Sequence, residues 1–214
     1  MAAAKSTSDR IVEAGRWLFN AKGYAATSLH EIAAEVGISQ GNLTYHFPTK
    51  RDLATRIEAD ARAIARVRRD NLQPDAIADD YVEHVLFAMN AMWSYRFLFR
   101  DRAQYASGID IRNPESEMMA DFEELHALLK RIDAEGMFRR GLLDDLTVLA
   151  RSIWIVGRYW MDYLNEFEGR KEISWSDQER GIEHHYSLLR PYLTASANRE
   201  FRAAFDRAQR SANA

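Results

Sequence analysis

Apolar residues recur every three or four positions over long stretches of this chain, as they do on one face of an α-helix. Residues 8–22 show the pattern, and Gly23 follows as a helix stop. The apolar face of this first segment consists of Ile11, Ala14, Trp17, Leu18 and Ala21. Because no alternating run of strand length occurs, the pattern predicts an all-α protein.

Two short predicted helices follow, joined by a glycine turn. Ser28 and Glu31 have the spacing of a capping box at the start of the first helix, and Ser39 is placed to cap the second. Between them, Gly37 makes the turn. Two short helices packed at a steep angle around such a turn describe a helix-turn-helix, whose second helix enters the DNA major groove.

A long helix opens at Thr49 and Asp52 and runs to about residue 72. Ser176 and Glu179 predict a further capping box. The remaining helices are expected near 76–99, 115–135, 143–167, 176–193 and 198–210. We therefore predict a three-helix DNA-binding domain over residues 1–56 and a larger helical domain over 57–214, for which the family resemblance described below implies effector binding and dimerisation.

The charge of the chain is unevenly distributed. Residues 1–70 carry 11 Lys and Arg against 8 Asp and Glu, whereas residues 71–214 carry 18 against 24. We call residues 1–70 the head and residues 71–214 the body. A mildly basic head and an acidic body are expected of a DNA-binding module joined to a domain with another function. The absence of cysteine excludes disulfides and thiolate chemistry, and no signal peptide begins the chain, so a cytoplasmic location is predicted.

The third helix begins with the residues that a major groove would meet. Gln40 and Asn42 carry amides, which pair well with the adenine edge. Gly41 lets the backbone approach the duplex, and Ser39 suits a phosphate. Double-stranded DNA is therefore the predicted partner.

This block resembles the TetR/AcrR family of transcriptional regulators over residues 8–56. The matching residues are Phe19, Gly23, Tyr24, Thr27, Ile32, Ala33, Val36, Gly37, Ile38, Ser39, Gly41, Leu43, His46, Phe47, Lys50 and Leu53. The resemblance implies phosphate contacts from Ser28, Ser39, Thr44, His46 and Lys50. It also implies that His30, Gln40, Asn42 and Tyr45 face bases, with Phe47 in the core. Thr44 departs from the family, which usually has Tyr there.

The resemblance further implies a homodimeric repressor, released from a palindromic operator by a small apolar or amphipathic effector. The last two long helices would pack against their copies in a four-helix bundle, and Gly157 would permit a close approach. No membrane partner is expected, because Arg151, Arg158 and Asp162 interrupt the apolar stretch 146–167. Neither a cofactor nor a metal ion is implied.

Aromatic residues of the body form the candidate effector pocket, with Arg100 chosen to meet a carboxylate. The candidate set is Trp93, Phe97, Arg100, Tyr105, Met119, Phe122, Trp154 and Tyr159. The same aromatic residues suit an ordinary hydrophobic core, and the sequence leaves both interpretations open.

Catalysis is not predicted. His30-Glu31 begins a zincin motif, but Ala34 stands where its second histidine belongs. Glu123 and His126 fit half of a di-iron site in a helical-bundle metalloenzyme, and no second half is present. A helical interaction protein without operator binding stays open as the alternative, because of Thr44.

Overall fold

The computed structural model describes residues 5–71, 76–105 and 117–212. Within these ranges the chain is helical, and its one β-type contact is an isolated antiparallel bridge between Phe138 and Leu193. The prediction of an all-α fold is confirmed. Across the described residues, no helix combines the length and apolar character that crossing a membrane requires.

The helices of the described part are numbered in chain order. They are α1 (Thr7–Lys22), α2 (Leu29–Val36), α3 (Gln40–His46), α4 (Lys50–Asn71), α5 (Ile77–Ser94), α6 (Arg96–Arg100), α7 (Arg102–Tyr105), α8 (Glu117–Ala134), α9 (Leu146–Glu166), α10 (Trp175–Leu189), the 3-10 helix η1 (Arg190–Tyr192) and α11 (Ala195–Ala212).

Side-chain caps set the starts of the short helices. The Ser28 amide donates to Glu31 Oε2 at 2.8 Å, and the Glu31 amide donates back to Ser28 Oγ at 3.2 Å. Thr49 and Asp52 form the same reciprocal pair, and Ser39 Oγ caps α3. The three predicted caps of the head are therefore confirmed.

The cap predicted for α10 is wrong by two residues. This helix is capped by Ser174, whose amide donates to Asp177 Oδ2 at 2.9 Å. Asp177 is also buried between Arg170 and Arg180, whose nitrogens lie 3.4 and 3.5 Å from its Oδ1. Both serines are followed three residues later by an acid, and these additional ion pairs favour the first register.

The single helix predicted over 76–99 is interrupted between α5 and α6. Asn20 explains the break, because its Nδ2 donates to the Ser94 carbonyl at 2.8 Å and its Oδ1 accepts from the Phe97 amide at 3.1 Å. Arg16 also donates to the Ser94 carbonyl, at 3.2 Å. Side chains of α1 thus satisfy backbone groups that the interruption leaves without helical partners.

The chain divides into two compact units, Met1–Asn71 with Ser94–Ile111 and Leu72–Trp93 with Arg112–Ala214. The core of the first unit combines residues of α1 to α4 with Phe97, Leu98 and Tyr105. Phe47 lies in this core, 6% exposed, as expected. The boundary after residue 56 stays a prediction.

The second unit is built from α5 and α8 to α11. Its close helix contacts depend on glycines: a Cβ on Gly157 would lie 2.5 Å from His185 Nε2. A Cβ on Gly181 would lie 2.4 Å from Met89 Cε. Gly157 therefore permits a close approach, as expected, and the helix that approaches is α10 of the same chain.

Candidate nucleic-acid interface

The turn between α2 and α3 is tight and internally bonded. Gly37 has φ 73° and ψ 36°, the left-handed conformation that glycine adopts without strain. Its amide donates to the carbonyls of Ala33 and Ala34 at the end of α2. On the inner side, fully buried Leu43 anchors α3 against Ile32 and the rest of the core. The direction in which α3 presents its outer face is therefore determined by packing.

The outer face of α3 is polar and available. Gln40, Asn42, Tyr45 and His46 are exposed, and the Tyr45 side chain reaches 85% exposure. Within the described part of the chain, the side-chain amides of Gln40 and Asn42 have no hydrogen-bonding partner. Free amides on a packed helix can bond base edges without first breaking an internal bond.

The remaining predicted contacts at the helix starts differ in what they offer. His30 and Gly41 are exposed on α2 and α3. Ser39 Oγ accepts from the Asn42 amide at 3.1 Å, which leaves its own proton for a phosphate. The Ser28 hydroxyl instead lies 3.0 Å from Glu31 Oε2, so its proton is already engaged.

Glu31 is held in its ionised form. Hydrogen bonds from Lys22 and then Ser28 lower the pKa of Glu31 to about 2. The Lys22 ammonium lies 2.9 Å from the Glu31 carboxylate. This pair partly cancels one positive charge of the head, which is therefore only modestly attractive to DNA.

Thr44 keeps its hydroxyl within its own helix. Its Oγ1 lies 3.1 Å from the carbonyls of both Gln40 and Gly41. The Thr44 hydroxyl therefore donates its proton to the backbone. A phosphate only accepts hydrogen bonds, so the hydroxyl has no proton left to donate to it. The phosphate contact implied by the family resemblance is not available in this conformation.

The Lys50 ammonium bonds backbone carbonyls within the head. Its Nζ lies 2.7 Å from the Tyr24 carbonyl, 3.3 Å from that of Ala25 and 2.8 Å from that of Thr27. It also lies 4.5 Å from the centroid of the Tyr24 ring. Partial burial lowers the pKa of Lys50. Its three protons thus bond the turn between α1 and α2 in the DNA-free chain, and its phosphate contact stays a prediction.

Arg100 is likewise engaged inside the first unit. Its Nη2 donates to the Phe19 carbonyl at 2.9 Å and to Asp101 Oδ2 at 3.0 Å. The same Asp101 oxygen accepts from the Tyr24 amide at 2.8 Å. Arg100 does meet a carboxylate, but it is that of Asp101, and the pair caps the last turn of α1. Sequence reasoning missed Asp101, because its contact with Tyr24 spans 77 residues of the chain.

The other predicted effector residues are divided between the two units. Phe97 and Tyr105 are buried in the first unit, where the Tyr105 hydroxyl donates to the Leu98 carbonyl at 3.2 Å. Trp93 is buried on α5, and Tyr159 is exposed on α9. The side chain of Met119 lies outside the described residues.

Phe122 and Trp154 do meet, edge to face, with ring centroids 6.1 Å apart. Trp154 Nε1 donates to Asp121 Oδ2 at 2.9 Å. The adjoining residue His84 is buried, with its Nδ1 3.0 Å from Glu124 Oε1 and its Nε2 4.0 Å from Asp121 Oδ1. Aromatic and polar groups of α5, α8 and α9 thus form one cluster in the second unit.

His185 on α10 adds a neutral group to this part of the body. Burial lowers the pKa of His185 to about 3, and neither ring nitrogen has a hydrogen-bonding partner among the residues that the structure describes. Across the described residues, no group of three or more His, Asp and Glu side chains could hold a metal ion.

A glycine turn joining two short helices, the second exposing unpaired amides, defines a helix-turn-helix DNA-binding protein. Comparison with known families agrees. Residues 11–57 match the family described as "Bacterial regulatory proteins, tetR family", and residues 61–201 match TetR, described as "Bacterial transcriptional repressor". The chain belongs to the TetR family of transcriptional regulators, which identifies it as a regulator and not an enzyme.

Two curated relatives from Bacillus subtilis (strain 168) each match a short segment of this chain. The uncharacterized HTH-type transcriptional regulator YerO is 47% identical over 45 residues, 21% of this chain and 16% of that protein. The probable HTH-type transcriptional regulator YttP is 40% identical over 45 residues, 21% of this chain and 22% of that protein. The aligned segment therefore spans only about a fifth of either relative.

Solved structures resemble nearly the whole chain. A TetR-family regulator from Marinobacter aquaeolei VT8 has a TM-score of 0.76 at 23% identity, covering 95% of this chain and 98% of that one. A gamma-butyrolactone receptor described as ArpA-like has a TM-score of 0.68 at 19% identity, covering 95% and 97%. CprB from S. coelicolor A3(2) has a TM-score of 0.68 at 19% identity, covering 94% and 95%. At these identities the likeness shows a shared fold.

Proposed function

We propose that this protein is a homodimeric repressor whose two α3 helices read the half-sites of a palindromic operator. The observation that carries the proposal is the free outer face of α3, where Gln40 and Asn42 lie beside exposed Tyr45. Because the head is only mildly basic, one head alone would bind weakly. Two heads on one operator would supply the required affinity.

An apolar stripe on α9 supports the dimer. Val148, Ile155, Tyr159 and Tyr163 are 55%, 46%, 61% and 45% exposed. Their spacing of seven, four and four residues places them on one side of the helix. Exposed apolar side chains in such a row are typical of a surface that another subunit covers. Other apolar residues of the same helix, Ile153, Trp160 and Leu164, are instead buried within the chain.

We further propose that a small apolar or amphipathic effector binds the cluster around Phe122 and Trp154. The shared fold with proteins described as gamma-butyrolactone receptors supports a small-molecule effector. The cluster supplies an aromatic wall together with the polar groups of Asp121 and His84. We leave Phe97, Arg100 and Tyr105 out of this site, because they pack in the first unit.

Such an effector would need to favour the DNA-free state by about 1–3 kcal/mol to act as an inducer. Repression, the palindromic operator and a cytoplasmic location all belong to this proposal.

The test of base reading begins with the operator. Genomic DNA fragments captured by the protein are sequenced, and affinities are measured by fluorescence anisotropy for the shared site and its single-base variants. Gln40→Ala and Asn42→Ala should each cost about 1–3 kcal/mol at the preferred base and remove discrimination at that position.

Gln209→Ala is the matched control, since it removes an amide from α11, far along the chain from the head. Equal weakening on every sequence would show that the two amides do not read bases. Capture of no DNA by the intact protein would favour the alternative, a helical interaction protein without operator binding.

A further inference from the structure

A groove of about 890 Å³ runs along η1 and α11 in the second unit. Arginines from three separate parts of the chain converge on it: one in the segment after α8, one in η1 and two on α11. They are Arg139, Arg190, Arg199 and Arg202.

The positive charge of this groove exceeds what its neighbours neutralise. Arg202 lies 2.7 Å from Glu183, and its guanidinium lies 4.9 Å from the centroid of the Tyr186 ring. The side chains of the other three arginines form no hydrogen bond or ion pair within the described part of the chain. Asp206 is the one acidic residue among those that line the groove. Unpaired guanidinium groups therefore outnumber the carboxylates available to them.

This concentration of arginine runs against the composition of the body. Residues 71–214 carry 24 acidic residues against 18 basic ones. Arg199 and Arg202 are three positions apart on α11, a spacing at which like charges repel. The contacts of the fold do not explain why these arginines lie around one groove. An anion bound between them would offset the repulsion between their positive charges.

The walls of the groove are held in place. The Tyr186 hydroxyl donates to Asn198 Oδ1 at 2.7 Å, and Asn198 Nδ2 donates to the Thr194 carbonyl at 3.0 Å. On the other side, the Arg139 amide donates to the Tyr192 carbonyl at 2.7 Å, next to the bridge between Phe138 and Leu193. The backbones that carry the arginines are therefore positioned before any ligand arrives.

We propose that this groove binds a small organic anion carrying two or more carboxylate or phosphate groups. The guanidinium fork matches both groups with paired hydrogen bonds, and several arginines together match more than one of them. The volume lies in the range of small-molecule sites. Pro191 and Ala203 offer apolar surface for the carbon skeleton of the ligand. This site is independent of the proposed operator binding.

The experiment is isothermal titration calorimetry of the full chain with pyrophosphate and with citrate. The salt concentration is about 20 mM, at which electrostatic attraction is weakly screened. Acetate serves as the monovalent comparison. We expect saturable binding of at least one polyanion, and about tenfold or greater weakening in the double variant Arg190→Gln/Arg199→Gln. The matched control is Arg210→Gln, which removes an exposed charge from α11 outside the groove. Its affinity should stay within about twofold of the unmodified protein.

Three outcomes would overturn the proposal. They are an absence of polyanion binding, equal weakening in Arg210→Gln, and binding of acetate as tight as that of citrate. Because basic residues of the head also attract polyanions, the comparison between variants is what assigns the site. Circular dichroism checks that the double variant is folded. If it is not, Arg139→Gln replaces it, with Arg140→Gln as the control, and the same criteria apply.

Discussion

Lys50 shows how one side chain can serve the fold at a position where the family resemblance implies a DNA contact. The turn between α1 and α2 places three carbonyl oxygens around a single ammonium group, at 2.7, 3.3 and 2.8 Å. An ammonium has three protons and here directs each to a carbonyl. Loss of this residue would therefore leave several acceptors of the head without a donor.

Lys50→Met should accordingly lower the free energy of unfolding by about 1–3 kcal/mol, because the methionine keeps the length of the side chain and removes its donors. Urea denaturation at neutral pH measures the change. Lys22→Met is the control, since the exposed Lys22–Glu31 pair should contribute less than about 1 kcal/mol. The phosphate role would be supported instead if stability were unchanged and the slope of the logarithm of the DNA-binding constant against the logarithm of salt concentration fell by about one.

Residues whose roles depend on helical periodicity could be predicted, and those whose roles depend on distant partners could not. Leu43 and Phe47 are buried as the pattern requires. Lys50 contacts carbonyls 23 to 26 residues away, and Arg100 contacts one 81 residues away. No local pattern encodes such contacts, because they exist only after the helices have packed.

At the level of elements, the longer helices and the starts of α2 and α3 follow from the sequence, since a side-chain cap is a local signal. The exceptions arise where packing chooses between local alternatives. Ser174 and Ser176 each precede an acid by three residues, and the burial of Asp177 favours the former. The break after α5 has no signal in its own segment, because the groups that satisfy it belong to α1.

Gly157→Ala tests the contact between α9 and α10. In an isolated helix, alanine is more stabilising than glycine by about 1 kcal/mol. At position 157, however, the alanine Cβ would lie 2.5 Å from His185 Nε2. We expect a net loss of about 1–3 kcal/mol in the free energy of unfolding, measured by urea denaturation.

Gly41→Ala is the matched control for that substitution. It also lies in a helix, and a Cβ there would meet only Ser39 Oγ, at 3.9 Å, so stability should stay the same or rise. If steric overlap is the cause, the double variant Gly157→Ala/His185→Ala should be more stable than the sum of its single changes allows. Additive losses would contradict this explanation.

For the whole molecule, the proposed dimer depends on the exposed stripe on α9. Tyr159→Asp should shift the protein toward monomer at micromolar concentration, because a dimer would bury an unpaired carboxylate. Sedimentation velocity measures the distribution. Operator affinity should fall as the fraction of dimer falls, since two heads would no longer bind one operator together.

Leu142→Asp is the comparison for Tyr159→Asp. Leu142 is also an exposed hydrophobic residue, 49% exposed, but it precedes α9 and lies outside the stripe. It should leave the oligomeric state unchanged. An unmodified protein that sediments as a monomer, or a Tyr159→Asp variant that stays dimeric, would reject the stripe as the subunit interface.

The contacts of Asn20 and Tyr24 with the segment from Ser94 to Asp101 limit how this protein could be recombined with others. A chimaera that transferred only the N-terminal 57 residues would carry Asn20 without the backbone groups of Ser94 and Phe97 that it bonds. The Tyr24 amide would likewise lose the Asp101 carboxylate. The N-terminal 57 residues are therefore not a self-contained unit for domain exchange. A chimaera that keeps these contacts must include the α6 segment as well.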